Sequence, residues 1–269
     1  MADSDLEIYE LFAVRYATHD RTQALNFVDP PDPHDAMPID YFVWAAVSES
    51  RTFVIDTGFN SEAAKPRGRD HIRCPTEGLI AIGIDPAAVK DVIVTHFHYD
   101  HIGNFDKFPD AVFHLQDKEM AFATGRHMLD PKIKSSFNVD DVVGMVRNVF
   151  GGRVRFHDGD VELAPGISLH HIGGHTPGLQ AVRVMTKRGF VMVASDACHL
   201  YANMETRNPY PIIFNIDDVL AGYDKLAGLV DSPDHIVPGH DPMVMDRYPP
   251  VSDALKDMVI RLDVAPAKA

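Results

Sequence analysis

The chain has 269 residues, 45% of them hydrophobic, which allows one large domain or two small ones with a substantial core. Its 25 Lys and Arg against 39 Asp and Glu leave a net charge of −14 with histidine neutral. Such a surface repels nucleic-acid backbones, and the short cluster KPRGR at 65–69 reads as a solvated loop too small to reverse that. Cys74 and Cys198 are too few for a disulfide framework and read as reduced thiols. The polar, acidic N-terminus shows no signal peptide, and no run of about 18 apolar residues is long enough to span a membrane. A cytoplasmic protein acting on a small molecule is the expectation.

In chain order, residues 7–17 predict a strand rich in aromatic and β-branched side chains. Residues 40–60 predict a hairpin turning at SESR. A helix follows from Pro75, a shorter one from Pro86, and then the apolar strand DVIVT. Strand 111–115 leads into helix-prone QDKEMAFATG. The 130–150 stretch predicts helix, burying Ile133, Phe137, Val142, Val143, Val146 and Val149. After Gly151–Gly152 come short strands, RVRFH, VELAP, ISLHHIG, QAVRVMT and GFVMVASD. A helix at 218–230, a strand at 234–240 and an amphipathic helix near 251–263 complete the chain. Strand-rich halves, each followed by helices, predict a single α/β domain over residues 1–269, with two sheets inside and helices outside.

One segment carries the chemistry. VIVTHFHYDHIGNF places His96, His98, Asp100 and His101 directly after the greasiest strand. In extended backbone, residues two apart share a face, so His96 and His98 point together and Asp100 joins them if extension continues. His101 then faces elsewhere, toward a second, neighbouring cation. Imidazole and carboxylate suit zinc, iron or manganese.

The sequence resembles the metallo-β-lactamase superfamily in this motif and in four further segments: GGHTPG with His175, VASDA with Asp196, IVPGHD with His240, and FVIDTGFN with Asp56. The resemblance implies a four-layer αββα sandwich. It also implies two metal ions, expected as Zn²⁺ with Fe or Mn possible. His96, His98 and His175 would hold one, Asp100, His101 and His240 the other, with Asp196 bridging and Asp56 behind the site. β-Lactamases of the superfamily often carry Cys at the position of Asp196, so the aspartate here argues against β-lactam chemistry. Cys198 reads as a small packed residue.

Within the superfamily the segments most resemble the N-acyl-homoserine lactonases and small lactonase relatives. This implies a dinuclear metal-dependent hydrolase that opens a lactone or activated ester, with Asp100 relaying a proton. Two positions depart from the pattern. His199 stands where those lactonases have Tyr, with Tyr201 two residues on, and Leu179 replaces a histidine. His199 or Tyr201 is therefore the expected oxyanion or orienting group, alongside catalytic Asp100. Residues 119–150 and 200–215, the second read as a long loop, are the candidate cover of the pocket. Arg126, His127 and Arg207 there would give an apolar pocket a basic rim, suiting a lactone with a carboxylate or nitro group. His114 and His235 read as satisfied core histidines, and His170 and His171 as non-ligands. The alternatives are a thioester hydrolase resembling glyoxalase II, whose basic C-terminal region this tail, with Lys256, Arg261 and Lys268, matches poorly, and an iron-loaded redox protein.

Overall fold

The computed structural model describes residues 6–267. The reading of the N-terminus as free of a signal peptide therefore falls partly outside the described residues, as does Lys268. The first sheet draws on β1 (Glu10–His19), β2 (Ile39–Val47), β3 (Thr52–Ile55), β4 (Asp70–His71), β5 (Asp91–Ile93), β6 (Val112–Gln116) and β7 (Val154–His157). The second holds β8 (Val161–Ala164), β9 (Ile167–His171), β10 (Gln180–Thr186), β11 (Gly189–Ser195) and β12 (Ile236–Pro238), and β13 (Val259–Arg261) returns to the first. The sheet orders are β13-β1-β2-β3-β5-β6-β7, with β4 on β1, and β12-β11-β10-β9-β8.

The period-two alternation of these strands builds three apolar layers. Leu11 and Ala13 of β1 and Phe42, Trp44 and Ala46 of β2 face Val182, Val184, Val191 and Val193 of β10 and β11, forming the core between the sheets. The intervening residues, Val14, Tyr16, Tyr41 and Val43, pack under the helical cover with Leu79, Ile102 and Met145. On the far side, Ala181, Met192 and Ala194 meet Val219, Tyr223 and Leu226 of the helix Ile216–Gly228. Fully burying one such Val, Leu or Phe stabilises the fold by about 1.5–3 kcal/mol. Helix, sheet, sheet, helix is the expected αββα order.

Strand direction places the site. β3, β5, β6 and β7 run parallel, and so do β11 and β12. Their C-terminal ends therefore open at one edge, where α/β folds gather their ligands. The sheets are pinned together there by Gln180, whose backbone N–H donates to Thr95 O at 3.0 Å and whose side-chain amide donates to Val94 O at 2.8 Å.

Three sequence expectations need correction. Residues 251–263 are not a helix: a 3₁₀ turn at Asp253–Leu255 leads into β13, which pairs with β1, so an open sheet edge overrides a weak helical pattern. The 130–150 helix is broken into Pro131–Lys134 and Val139–Phe150. In the second piece Val143 is 41% exposed while Met145, not singled out, is fully buried. The 200–215 stretch begins with a short helix, Tyr201–Glu205, rather than a continuous loop.

Asp141 lies buried in the first turn of Val139–Phe150, with Oδ2 lacking a hydrogen-bond partner. Burial foremost, then Asp140, pushes its carboxyl up to about 7 from 3.8. The folded chain thus holds a proton that the unfolded chain has released, and stability falls as pH rises from about 4 to 7. Asp141→Asn removes this slope. Thermal melts of the two proteins should nearly coincide at the acid end and separate toward pH 8, with the variant melting higher. A gap independent of pH contradicts the assignment.

Candidate metal centre and active-site pocket

The apolar run that ends in β5 delivers Thr95 and His96 to the open edge, both fully buried. Extension then stops: Tyr99–Ile102 forms a single helical turn capped at His98. His98 stays with His96, while Asp100 and His101 are carried to the other side. His175 sits in the turn joining β9 to β10, after Gly174 at φ +83°, where an added Cβ would lie 2.6 Å from Val219 N. β11 and β12, side by side, end at Asp196 and His240, and His240 N–H donates to His199 O at 2.9 Å. Gly239 permits this approach, because a Cβ there would come within 2.8 Å of the Ser195 backbone and 3.0 Å of the Asp196 carboxylate.

Three groups of ligand atoms lie within 4.8 Å of one another: Asp196, His199 and His240, which overlaps the others, and the two main sets, His96, His98, His175 and Asp196, and Asp100, His101 and His240. Asp196 divides its oxygens between them. Oδ2 is 3.1 Å from His175 Nε2 and 3.6 Å from His96 Nε2, while Oδ1 is 3.0 Å from His240 Nε2 and 3.3 Å from His101 Nε2. Asp100 Oδ2 stands 3.7 Å from His101 Nε2 and 3.8 Å from His240 Nε2.

The opposite imidazole nitrogens are held by acceptors. His175 Nδ1 donates to Ile212 O at 2.7 Å, His240 Nδ1 to Asp40 O at 2.9 Å and His101 Nδ1 to Asp56 Oδ2 at 2.8 Å. With Nδ1–H so committed, the neutral form of each ring would present its Nε2 lone pair toward the carboxylates. His96 Nε2 and His101 Nε2 are buried without a hydrogen-bond partner. Imidazole nitrogens and carboxylate oxygens converging in a buried site are the donor set of a divalent cation.

Electrostatics divide the cluster. Burial drives His96 and His98 well below the ordinary histidine value, assisted by neighbouring imidazoles, and pushes His199 down to about 3. These rings stay neutral. Burial alone would raise the Asp196 carboxyl, but His199, His240, His101 and His96 outweigh it and hold the group well below its usual range. His101 and His240 go the other way: burial opposes protonation, yet Asp196, Asp100 and Asp56 raise His101 well above the ordinary value, and Asp196 and Asp100 raise His240, so with no cation present these two rings favour the protonated form.

A family model described as the metallo-beta-lactamase superfamily matches residues 40–240, from the start of β2 through the last of the clustered histidines. The chain belongs to that superfamily. Among curated members it is 30% identical over 173 residues to N-acyl homoserine lactonase AiiB of Agrobacterium fabrum, covering 56% of this chain and 60% of that one. It is 29% identical over 182 residues to N-acyl homoserine lactonase AttM of Azorhizobium caulinodans, covering 63% of each. The chain thus spans about 60% of the length of these relatives. The fold also matches the crystal structure of a quorum-quenching N-acyl homoserine lactone lactonase at a TM-score of 0.74, with 20% identity and 89% and 95% of the two chains covered. AidC, a dizinc quorum-quenching lactonase, matches at 0.68 with 15% identity, covering 89% and 92%.

Around this superfamily site the remaining expectations fall out unequally. His199 joins the cluster, its Nε2 3.0 Å from Asp196 Oδ2. Tyr201 instead packs into the core between the sheets, with Arg247 4.5 Å from its ring centre, and the cavity over the cluster is lined by Tyr210. Tyr210 stacks on His199, ring centres 3.8 Å apart and 6° from coplanar. Nothing in its local sequence marked it, because a long connection brings it back over the site. Cys198 and Leu179 are buried in the core under Ile216–Gly228. His114 is satisfied by Asp91 at 2.9 Å and His170 by Asp160 at 2.9 Å, while His235 lies in a 3₁₀ turn rather than a strand. Asp56 stands behind the site as expected, accepting from Thr95 N–H at 2.7 Å and Thr95 Oγ1 at 2.8 Å.

The cavity of about 290 Å³ also receives Arg67 and Arg69, so these two residues of KPRGR line the pocket while Lys65, Pro66 and Gly68 stay exposed. Arg126 and His127 are exposed, and Arg207 is engaged with Asp224 at 2.7 Å; none lines this cavity. An adjoining cavity of about 370 Å³ is walled by Phe122, Ile133, Ile212 and Phe214. Both cavities include residues of the 119–150 and 200–215 segments.

Glu119 was also illegible in advance. Fully buried, it accepts from Phe97 N–H at 2.9 Å, Thr176 Oγ1 at 2.7 Å and Gly178 N–H at 3.1 Å, tying the His96–His98 segment to the His175 turn. Glu119→Ala strands three buried donors at roughly 1–3 kcal/mol each. A urea unfolding midpoint well below that of the parent is expected, and an unchanged midpoint would contradict the tie.

Proposed function

We propose that the chain is a dinuclear metal-dependent hydrolase that opens a lactone or a related activated ester. The observation that carries this reading is the division of the Asp196 oxygens between two sets of convergent ligand atoms. Sequence similarity to the N-acyl homoserine lactonases supports the lactone, and the likeness to a dizinc lactonase supports two zinc ions. Two cations in this site would supply Lewis acidity at the scissile carbonyl and lower the pKa of a bound water toward neutrality.

His96, His98 and His175 would hold one ion, Asp100, His101 and His240 the other, and Asp196 both. Iron or manganese suits the same oxygen and nitrogen donors. Asp100, at the cavity wall, is the group placed to take up and return a proton, while Tyr16 Oη fixes its backbone by donating to Asp100 O at 2.8 Å. Arg21 donates to Tyr210 Oη, which leaves the phenol hydrogen free. Burial raises the Tyr210 hydroxyl above its ordinary value, so it stays protonated at neutral pH and can donate to a substrate carbonyl. His199, held against Tyr210 and Asp196, is the positioning residue beneath it.

No helix among the described residues is long and apolar enough to cross a membrane. We read the chain as cytoplasmic from its acidic balance and its two unpaired cysteines.

Metal analysis should return two equivalents per chain, chiefly zinc. Chelation should abolish hydrolysis of hexanoyl homoserine lactone and Zn²⁺ should restore it. Asp196→Ala should lose both metal equivalents and activity. Turnover that survives complete metal removal contradicts the proposal. Tyr210→Phe should lower kcat by about 10²-fold if its hydroxyl meets the developing oxyanion, and an unchanged kcat removes it from that role.

A further inference from the structure

The cavity over the ligand cluster is basic in an otherwise acidic protein. Arg21, Arg67 and Arg69 line it together with Tyr99 and Tyr210. Each guanidinium is partly buried and held by neutral groups. Arg67 donates to Ala63 O at 3.2 Å and Phe137 O at 3.3 Å, its guanidinium carbon 4.2 Å from the Tyr99 ring centre. Arg69 donates to Tyr99 Oη at 3.0 Å and Arg67 O at 2.6 Å and contacts His19 Nε2 at 2.9 Å. Arg21 reaches Tyr210 Oη and Leu25 O.

Arg15, Arg51, Arg207, Arg247 and Arg261 each stand within 4.0 Å of a carboxylate. Among the described residues, Arg21, Arg67 and Arg69 have no such partner; Arg73, Arg126, Arg147, Arg153, Arg155, Arg183 and Arg188 lack one too, but only the first three line the cavity over the ligand cluster. The carboxylates of the cavity itself, Asp100 and Asp196, face the histidine cluster. Partly desolvated guanidinium groups without a counter-ion are costly unless a ligand compensates them. Their planar forks, anchored in advance by backbone carbonyls and tyrosines, match a carboxylate. The adjoining cavity, which shares His98, Ser135, Ser136, His175 and Ile212, is apolar on Phe122, Ile133 and Phe214.

We infer that the substrate is an anion: a lactone or ester carrying a free carboxylate, which Arg21, Arg67 and Arg69 bind while an apolar portion enters the cavity beside Phe122 and Phe214. The inference rests on the hydrolase reading for the position of the reacting carbonyl. The three arginines are then specificity determinants, and a neutral acyl lactone leaves them unused.

Metal-quantified protein tests this with dihydrocoumarin and a dihydrocoumarin bearing a ring carboxylate. The carboxylate should raise kcat/KM by about tenfold or more, chiefly through KM. Arg67→Gln and Arg69→Gln should bring the ratio of the two kcat/KM values toward one, and added salt should narrow it. Equal kcat/KM for both compounds, with turnover intact, overturns the inference and leaves the hydrolase standing. If neither compound nor hexanoyl homoserine lactone is turned over, the hydrolase reading falls. Wherever neither dihydrocoumarin is turned over, calorimetry with benzenesulfonate against neutral phenyl methyl sulfone decides the inference. Sulfonate-selective binding weakened in both arginine variants supports it. Absent binding, or binding indifferent to the arginines, overturns it.

Discussion

Everything at the open edge of the two sheets depends on how the Asp196 carboxylate is satisfied. It is buried, and four imidazole Nε2 atoms, those of His175, His199, His240 and His101, stand within 3.0–3.3 Å of its oxygens. A lone buried carboxylate would protonate, and isolated buried imidazoles would require donors of their own. Neither group is comfortable without positive charge between them. Cations on each side of Asp196, as proposed, would resolve both demands at once.

The scaffold's task is to hold like groups close together against their repulsion. Parallel strands bring the carrying loops to one edge, and Thr95 links them at their base. Its Oγ1 contacts Asp56 Oδ2 at 2.8 Å and Ser195 Oγ at 2.9 Å. Asp56 and Ser195, each at the end of a strand, sit at φ +61° and +48°. Such a conformation costs on the order of 1–3 kcal/mol in a non-glycine residue. The surrounding sheets over-determine it, and it turns the chain abruptly enough to present Asp56 behind His101 and Asp196 in front of it.

How much of this was readable in the sequence follows from the range of each interaction. The clustered histidines and aspartates lie in short segments at strand ends, and the alternation of β1, β2, β10 and β11 is local, so their gathering and the core were both legible. Arg67 and Arg69 looked like a solvated charge run because sequence shows their neighbours and not the cavity onto which the segment folds. Tyr201 and Tyr210 could not be told apart, since the turn after Tyr201–Glu205 decides which one covers His199. The 251–263 segment has enough apolar residues for a helix, and only the open edge of β1, some 240 residues away, makes it a strand.

The most direct test of the account is anomalous X-ray scattering at the zinc edge from crystals of the metal-loaded protein. Two peaks roughly 3.5 Å apart, one beside His96, His98 and His175 and the other beside Asp100, His101 and His240, are predicted, with Asp196 between them. A single peak, or metal bound away from Asp196, would contradict it.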